Sequence, residues 1–131
     1  MYKAGSKRGS IDPCFPSKVA ISHIHDLINN EKNKIDILYY PTLINLADGL
    51  VGTTGSCVCP TVQSNSNVCK AAFTKETDEF GNRDIKYVDN ALNFLEPNFL
   101  IKQMFETFEE HLWVGKEENE LAVKAGLKAM E

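Results

Sequence analysis

At 131 residues, with a formal charge of −4 and an isoelectric point near 5.4, the chain has the length of one ordinary domain and needs no disulfide or metal to build a core. Apolar residues at 43% and charged residues at 24% exclude a disordered or collagen-like chain. Scattered Lys and Arg exclude a phosphate-binding face, so no nucleic-acid partner is expected. No apolar run reaches the length of a membrane span and no signal-peptide core is present, so a cytoplasmic location is expected.

Residues 1–13 are polar and aperiodic, an entry segment or artificial junction whose basic cluster, Lys3, Lys7 and Arg8, is given no function. Residues 14–131 are expected to form a single α/β domain, cut from a larger multidomain protein. Val19, Ala20, Ile24, Leu27 and Ile28 recur at helical spacing, predicting a helix over 16–30 with Pro16 in its first turn. Ile35 to Tyr40 is a short apolar run closed by Pro41, a buried strand of a parallel sheet. Residues 42–56 read as a Gly- and Thr-rich loop beyond the C-terminal end of that strand, the end where open α/β sheets bind ligands. Cys57 to Val62 suggests a short strand, and Ser64 to Asn67 read as caps for a short helix over 68–73. One more strand is expected near Leu92 to Leu95.

Pro97 opens a helix with Leu100, Met104, Phe105, Phe108 and Leu112 along one stripe, broken by Gly115. A last helix over 117–130 places Leu121, Ala122, Ala125 and Ala129 on one side, small enough for close packing. The pattern predicts a Rossmann-like three-layer sandwich with a short, mainly parallel sheet.

In a reducing compartment the four cysteines, Cys14, Cys57, Cys59 and Cys69, are thiols or metal ligands rather than disulfides. Cys14 lies two residues before a helix-opening proline, where orphan N–H groups and the helix dipole favour a thiolate. Cys59 precedes Pro60 and follows a Gly-rich loop. Cys57 would share a strand face with Cys59, and Cys69 would lie on the next helix. The spacing matches neither a zinc ribbon nor a ferredoxin run, and cysteines are also common as small buried hydrophobes.

His23 and His25 are two apart on a helix and cannot form an i, i+4 zinc pair. His111 reads as a favourable charge at a helix C-terminus, and Glu76, Asp78 and Glu79 as a solvated turn. The sequence lacks a GxSxG elbow, a GxGxxG and a Walker motif, so neither nucleophilic hydrolysis nor ATP hydrolysis is expected.

The ordered set Cys14-Phe15-Pro16-Ser17-Lys18, His23, Ile37-Leu38-Tyr39-Tyr40-Pro41 and Cys59-Pro60-Thr61-Val62 resembles a middle, dehydratase-like region of the 2-hydroxyacyl-CoA dehydratase activator family. That family's pattern is Cys-x-Pro-x-Lys, a Gly-His in the following helix, a strand ending in proline and a later Cys-Pro. Ser22 stands where the glycine is usual. In the related dehydratase subunits, cysteines at comparable places hold an iron–sulfur cluster of the 4Fe–4S type. The resemblance implies Cys14 and Cys59 as ligands, with Cys69 third and Cys57 as its alternative.

It also implies partners: the other domains of a parent chain, among them an ATPase activator portion, and a second dehydratase-like lobe. The expected role is therefore to contribute cluster ligands for electron transfer or acyl-CoA dehydration in anaerobic metabolism, without activity as an isolated fragment and without a cluster surviving in air. The alternative is a structural or docking domain that binds no cofactor. A third reading is a thiol redox protein using Cys57 and Cys59, whose strained CxC disulfide would be labile.

Overall fold

The computed structural model describes residues 14–30, 34–47, 52 and 55–130. The entry segment 1–13 and part of the Gly- and Thr-rich loop, including Asp48, Gly49, Thr53 and Thr54, lie outside them. Among the described residues four α-helices, α1 (Phe15–Asn29), α2 (Pro60–Thr74), α3 (Pro97–Leu112) and α4 (Lys116–Met130), accompany four short strands, β1 (Ile37–Tyr39), β2 (Thr42–Asn45), β3 (Lys86–Val88) and β4 (Ala91–Asn93). The class is α/β, as the alternating pattern predicted.

The chain divides into two compact units, and each is built from separated stretches: residues 1–42 with 59–89, and 43–58 with 90–131. In the first, β1 pairs with β3 in parallel, with Leu38 opposite Tyr87. The Lys86 N–H donates to Asp36 O and the Tyr40 N–H to Val88 O, each at 2.9 Å, so the ladder continues past both strand ends. The core joins Ile21, Ile24 and Ile28 of α1 to Leu38, Cys69, Phe73, Phe80 and Ile85. Phe80 stacks between Phe73 and Tyr87, with ring centroids 5.7 and 4.8 Å away, separations typical of tilted aromatic pairs.

In the second unit β2 pairs with β4, and the Phe94 N–H donates to Asn45 O. Leu92, Leu100 and Val123 form its core, with Leu43, Ile101, Met104 and Leu127 packed against them. The α3 and α4 helices are tied by the buried Asn119, whose Nδ2 donates to Ile101 O at 2.8 Å.

The structure corrects several readings. The expected loop over 42–56 begins as strand β2, and β3 at Lys86–Val88 had no prediction. Both are too short for a period of two to register. The expected strand over 57–62 is absent: Cys57 makes a single bridge to Asn45, and α2 starts at Pro60, well before the anticipated helix. Proline favours the first helical turn, so Ser64 to Asn67 sit inside α2 rather than capping it. Its N-cap is Cys59.

On α4 the face read as packing is the wrong one. Leu121, Ala122, Ala125 and Ala129 are exposed, whereas Asn119, Val123 and Leu127 face α3. The spacing of four residues is the same, so periodicity alone does not choose between the two stripes. Leu112, assigned to the α3 stripe, is 56% exposed, because the chain turns away at Trp113 before that residue meets a neighbour.

Candidate functional site

Two helices of the first unit begin on a cysteine. Cys14 is the N-cap of α1 and Cys59 the N-cap of α2; both have extended backbone, and a proline follows within two residues. Neither side chain caps its own helix. Their carbonyls accept the first helical bonds, Cys14 O from Lys18 N–H and Cys59 O from Gln63 N–H. The N–H groups of each first turn, which no helical carbonyl can reach, therefore lie just ahead of each cysteine.

The two helices meet near these ends through polar side chains. Ser17, 3% exposed, donates its Oγ–H to Asn65 Oδ1 across the α1–α2 contact. Asn65 Nδ2 in turn donates to the Tyr40 hydroxyl at 2.5 Å, just past the C-terminal end of β1. The next residue continues the seam, since Ser66 Oγ–H donates to Tyr40 O and the Tyr87 hydroxyl donates to Ser66 O at 2.9 Å. Burial raises the phenols of both Tyr40 and Tyr87 above their ordinary range, so both hold their protons well into alkaline solution. Lys70 closes the far side, 2.9 Å from Asp89 Oδ2 and above the Tyr87 ring.

This seam of Ser17, Tyr40, Asn65, Ser66 and Tyr87 was not singled out from the sequence. The only signal was the Ser-Asn run at 64–67, which read equally well as capping residues. A concave apolar groove of about 470 Å³ runs between α1 and β1, with His23 at its lip and Leu27 and Tyr40 among its walls. Phe15 and Val62, beside the two N-caps, are 62% and 41% exposed.

The predicted ligands differ in setting. Cys14 is half-buried and Cys59 exposed, both at the helix starts. Cys69 is wholly buried in the core beside Phe73, and burial pushes its thiol up to about 12. It lies ten residues along α2 from Cys59, about 15 Å at 1.5 Å per residue. Cys57 belongs to the second unit, exposed, with its Sγ–H donating to Asn45 Oδ1 at 3.4 Å. Among the described residues no group of three or more His, Cys, Asp or Glu is arranged to hold a metal ion. His23 is exposed, while His25 and His111 are half-buried. Ser22, where a glycine was usual, is buried with its hydroxyl bonded back to Lys18 O at 3.1 Å, so the small polar residue fits without an orphaned group.

These features define a small α/β protein with a polar seam where helix N-termini meet the C-terminal end of a parallel strand. A family model described as the CoA enzyme activase uncharacterised domain (DUF2229) matches residues 1–131, and the chain belongs to that family. The match bears out the resemblance to dehydratase activators carried by the segments between Cys14 and Val62. No curated protein and no solved structure matches the chain. No described helix is long and apolar enough to cross a membrane.

Proposed function

We propose that this domain serves a CoA enzyme activase by contributing cysteine ligands to an iron–sulfur cluster used in electron transfer or acyl-CoA dehydration. The observation that supports this reading is the placement of Cys14 and Cys59 at the N-caps of two helices joined through Ser17 and Asn65. A helix N-terminus carries partial positive charge and suits a thiolate ligand. The donor chemistry therefore fits at two of the expected positions.

The third position has less support. Cys69 belongs to the core, and burial pushes its thiol up to about 12, which disfavours the thiolate that a ligand sulfur must become. The domain on this reading supplies two thiolates, and the remaining ligand comes from Cys57 or from another part of an assembled protein. When bound, the cluster would supply a one-electron relay or an open iron for substrate. The chain's own contribution is to hold both cysteines on stiff helix ends and to fix the Tyr40 hydroxyl nearby.

Anaerobic reconstitution with iron and sulfide tests this. Bound iron and a charge-transfer absorbance are expected, lost in Cys14→Ala and in Cys59→Ala but retained in Cys69→Ala. Iron that binds equally to all three variants would sink the assignment. The second reading, a structural or docking domain without cofactor, is favoured by the scattered cysteines. It predicts no iron uptake and unchanged folding in Cys14→Ala and Cys59→Ala.

A further inference from the structure

Between Glu106 and Glu120 the chain carries six glutamates against Lys116, a charge of −5 with His111 neutral, compared with −4 for all 131 residues. The protein's net charge is thus gathered at one corner of the second unit, where α3 turns into α4. All six glutamates are exposed. Glu106 and Glu120 pair with Lys102 and Lys124. Glu109, Glu110, Glu117 and Glu118 have no ion pair among the described residues, and the Lys116 ammonium sits over the Phe105 ring, 5.6 Å from its centroid.

Between Glu110 and Glu117 in the sequence, at the turn that joins the two helices, stands Trp113, the chain's only tryptophan, 90% exposed beside a half-exposed Leu112. Its backbone is left-handed, φ 56°, which a bulky residue adopts at a cost. That turn carries the indole outward instead of back onto α3. Glu109 and Glu110 add a second cost, because carboxylates in the last turn of α3 oppose its dipole. An aromatic anchor rimmed by unneutralised carboxylates repels nucleic acids and anionic membranes. It attracts cations, which also bind the face of an indole.

We propose that the α3–α4 corner is a docking surface for a cationic protein segment, with Trp113 as the apolar anchor and Glu109, Glu110, Glu117 and Glu118 as the charge that selects and steers it. The recognised chemistry is a run of Lys or Arg with at least one apolar side chain to cover the indole. This does not rest on the cysteines, since residues 106–120 contain none of the four.

Because Trp113 is the only indole, its emission reports this surface alone. The 131-residue chain is titrated with a labelled peptide of alternating Lys and Leu, and with a Glu and Leu peptide of the same length. The Lys peptide is expected to shift the Trp113 emission and to raise the label's anisotropy, weakening steeply with salt, while the Glu peptide does neither. Trp113→Ala and the combined Glu109→Gln, Glu110→Gln, Glu117→Gln, Glu118→Gln variant should each weaken binding by about tenfold or more, as loss of a central aromatic or of the complementary charge does. Circular dichroism checks that both stay folded. No binding, equal binding of the two peptides, or unchanged affinity in either variant would overturn the proposal. So would sedimentation showing that a second copy of the chain covers Trp113.

Discussion

Cys69 shows how burial bears on a single side chain. The family resemblance made it a ligand candidate, and the fold gives it no exposed surface and packs it with Phe73 and Leu38. Alkylation of the folded chain near neutral pH, read by mass spectrometry, should modify the exposed Cys57 and Cys59 and leave Cys69 untouched until denaturant is added. The same burial makes stability depend on pH. A thiol whose ionisation is moved from 9.0 in the open chain to about 12 favours the fold fully below the lower value. That contribution is lost as pH rises between the two, because the unfolded chain ionises first. Tyr40 and Tyr87 are displaced in the same direction from 10.0. The urea midpoint should therefore fall between about pH 8 and about pH 11, and a rising or flat midpoint would refute the burial argument.

At the scale of elements, the α3–α4 pair tests which stripe holds the fold. Leu100 is 2% exposed and Leu121 70%. Leu100→Ala should cost about 2–5 kcal/mol in urea unfolding, and Leu121→Ala no more than about 0.5. Equal effects would mean that the packed face has been misassigned. The C-terminal turn of α3 makes the opposite prediction. Replacing Glu110 by Lys reverses an unfavourable charge at a helix C-terminus and should stabilise the chain by about 0.3–1 kcal/mol, while weakening any cationic ligand at Trp113. In the first unit, Asn65→Ala removes both the Ser17 and the Tyr40 contact. Leaving buried polar groups unsatisfied should cost about 1–3 kcal/mol. A neutral result would mean that water replaces the amide without loss.

For the whole molecule, the units are discontinuous. The chain leaves the first after Thr42, returns at Cys59 and leaves again after Asp89. A fragment of residues 1–89 retains α1, α2, β1 and β3 with their entire shared core, and should unfold cooperatively by circular dichroism. One of residues 1–58 keeps α1 and β1 without α2 or β3 and should remain unfolded. A cooperative transition in the shorter fragment would contradict the division into units.

The sequence by itself determined the α/β class, the extents of α1, α3 and α4 to within a residue or so, the parallel setting of β1, and the activase family. Those features are written in local periodicity, in prolines at positions 16 and 97, and in an ordered set of short motifs, which need no knowledge of distant contacts. Tertiary structure alone decided the rest. Strands β2 and β3 have four and three residues, and so short a strand exists only because a partner supplies its hydrogen bonds. Which stripe of α4 is buried depended on where α3 lay. The cysteines divide in the same way. Cys14 and Cys59 stand at helix starts because Pro16 and Pro60 open α1 and α2, whereas Cys69 is a core residue because α1, α2 and β1 pack on one another, and residue spacing carries no record of that contact.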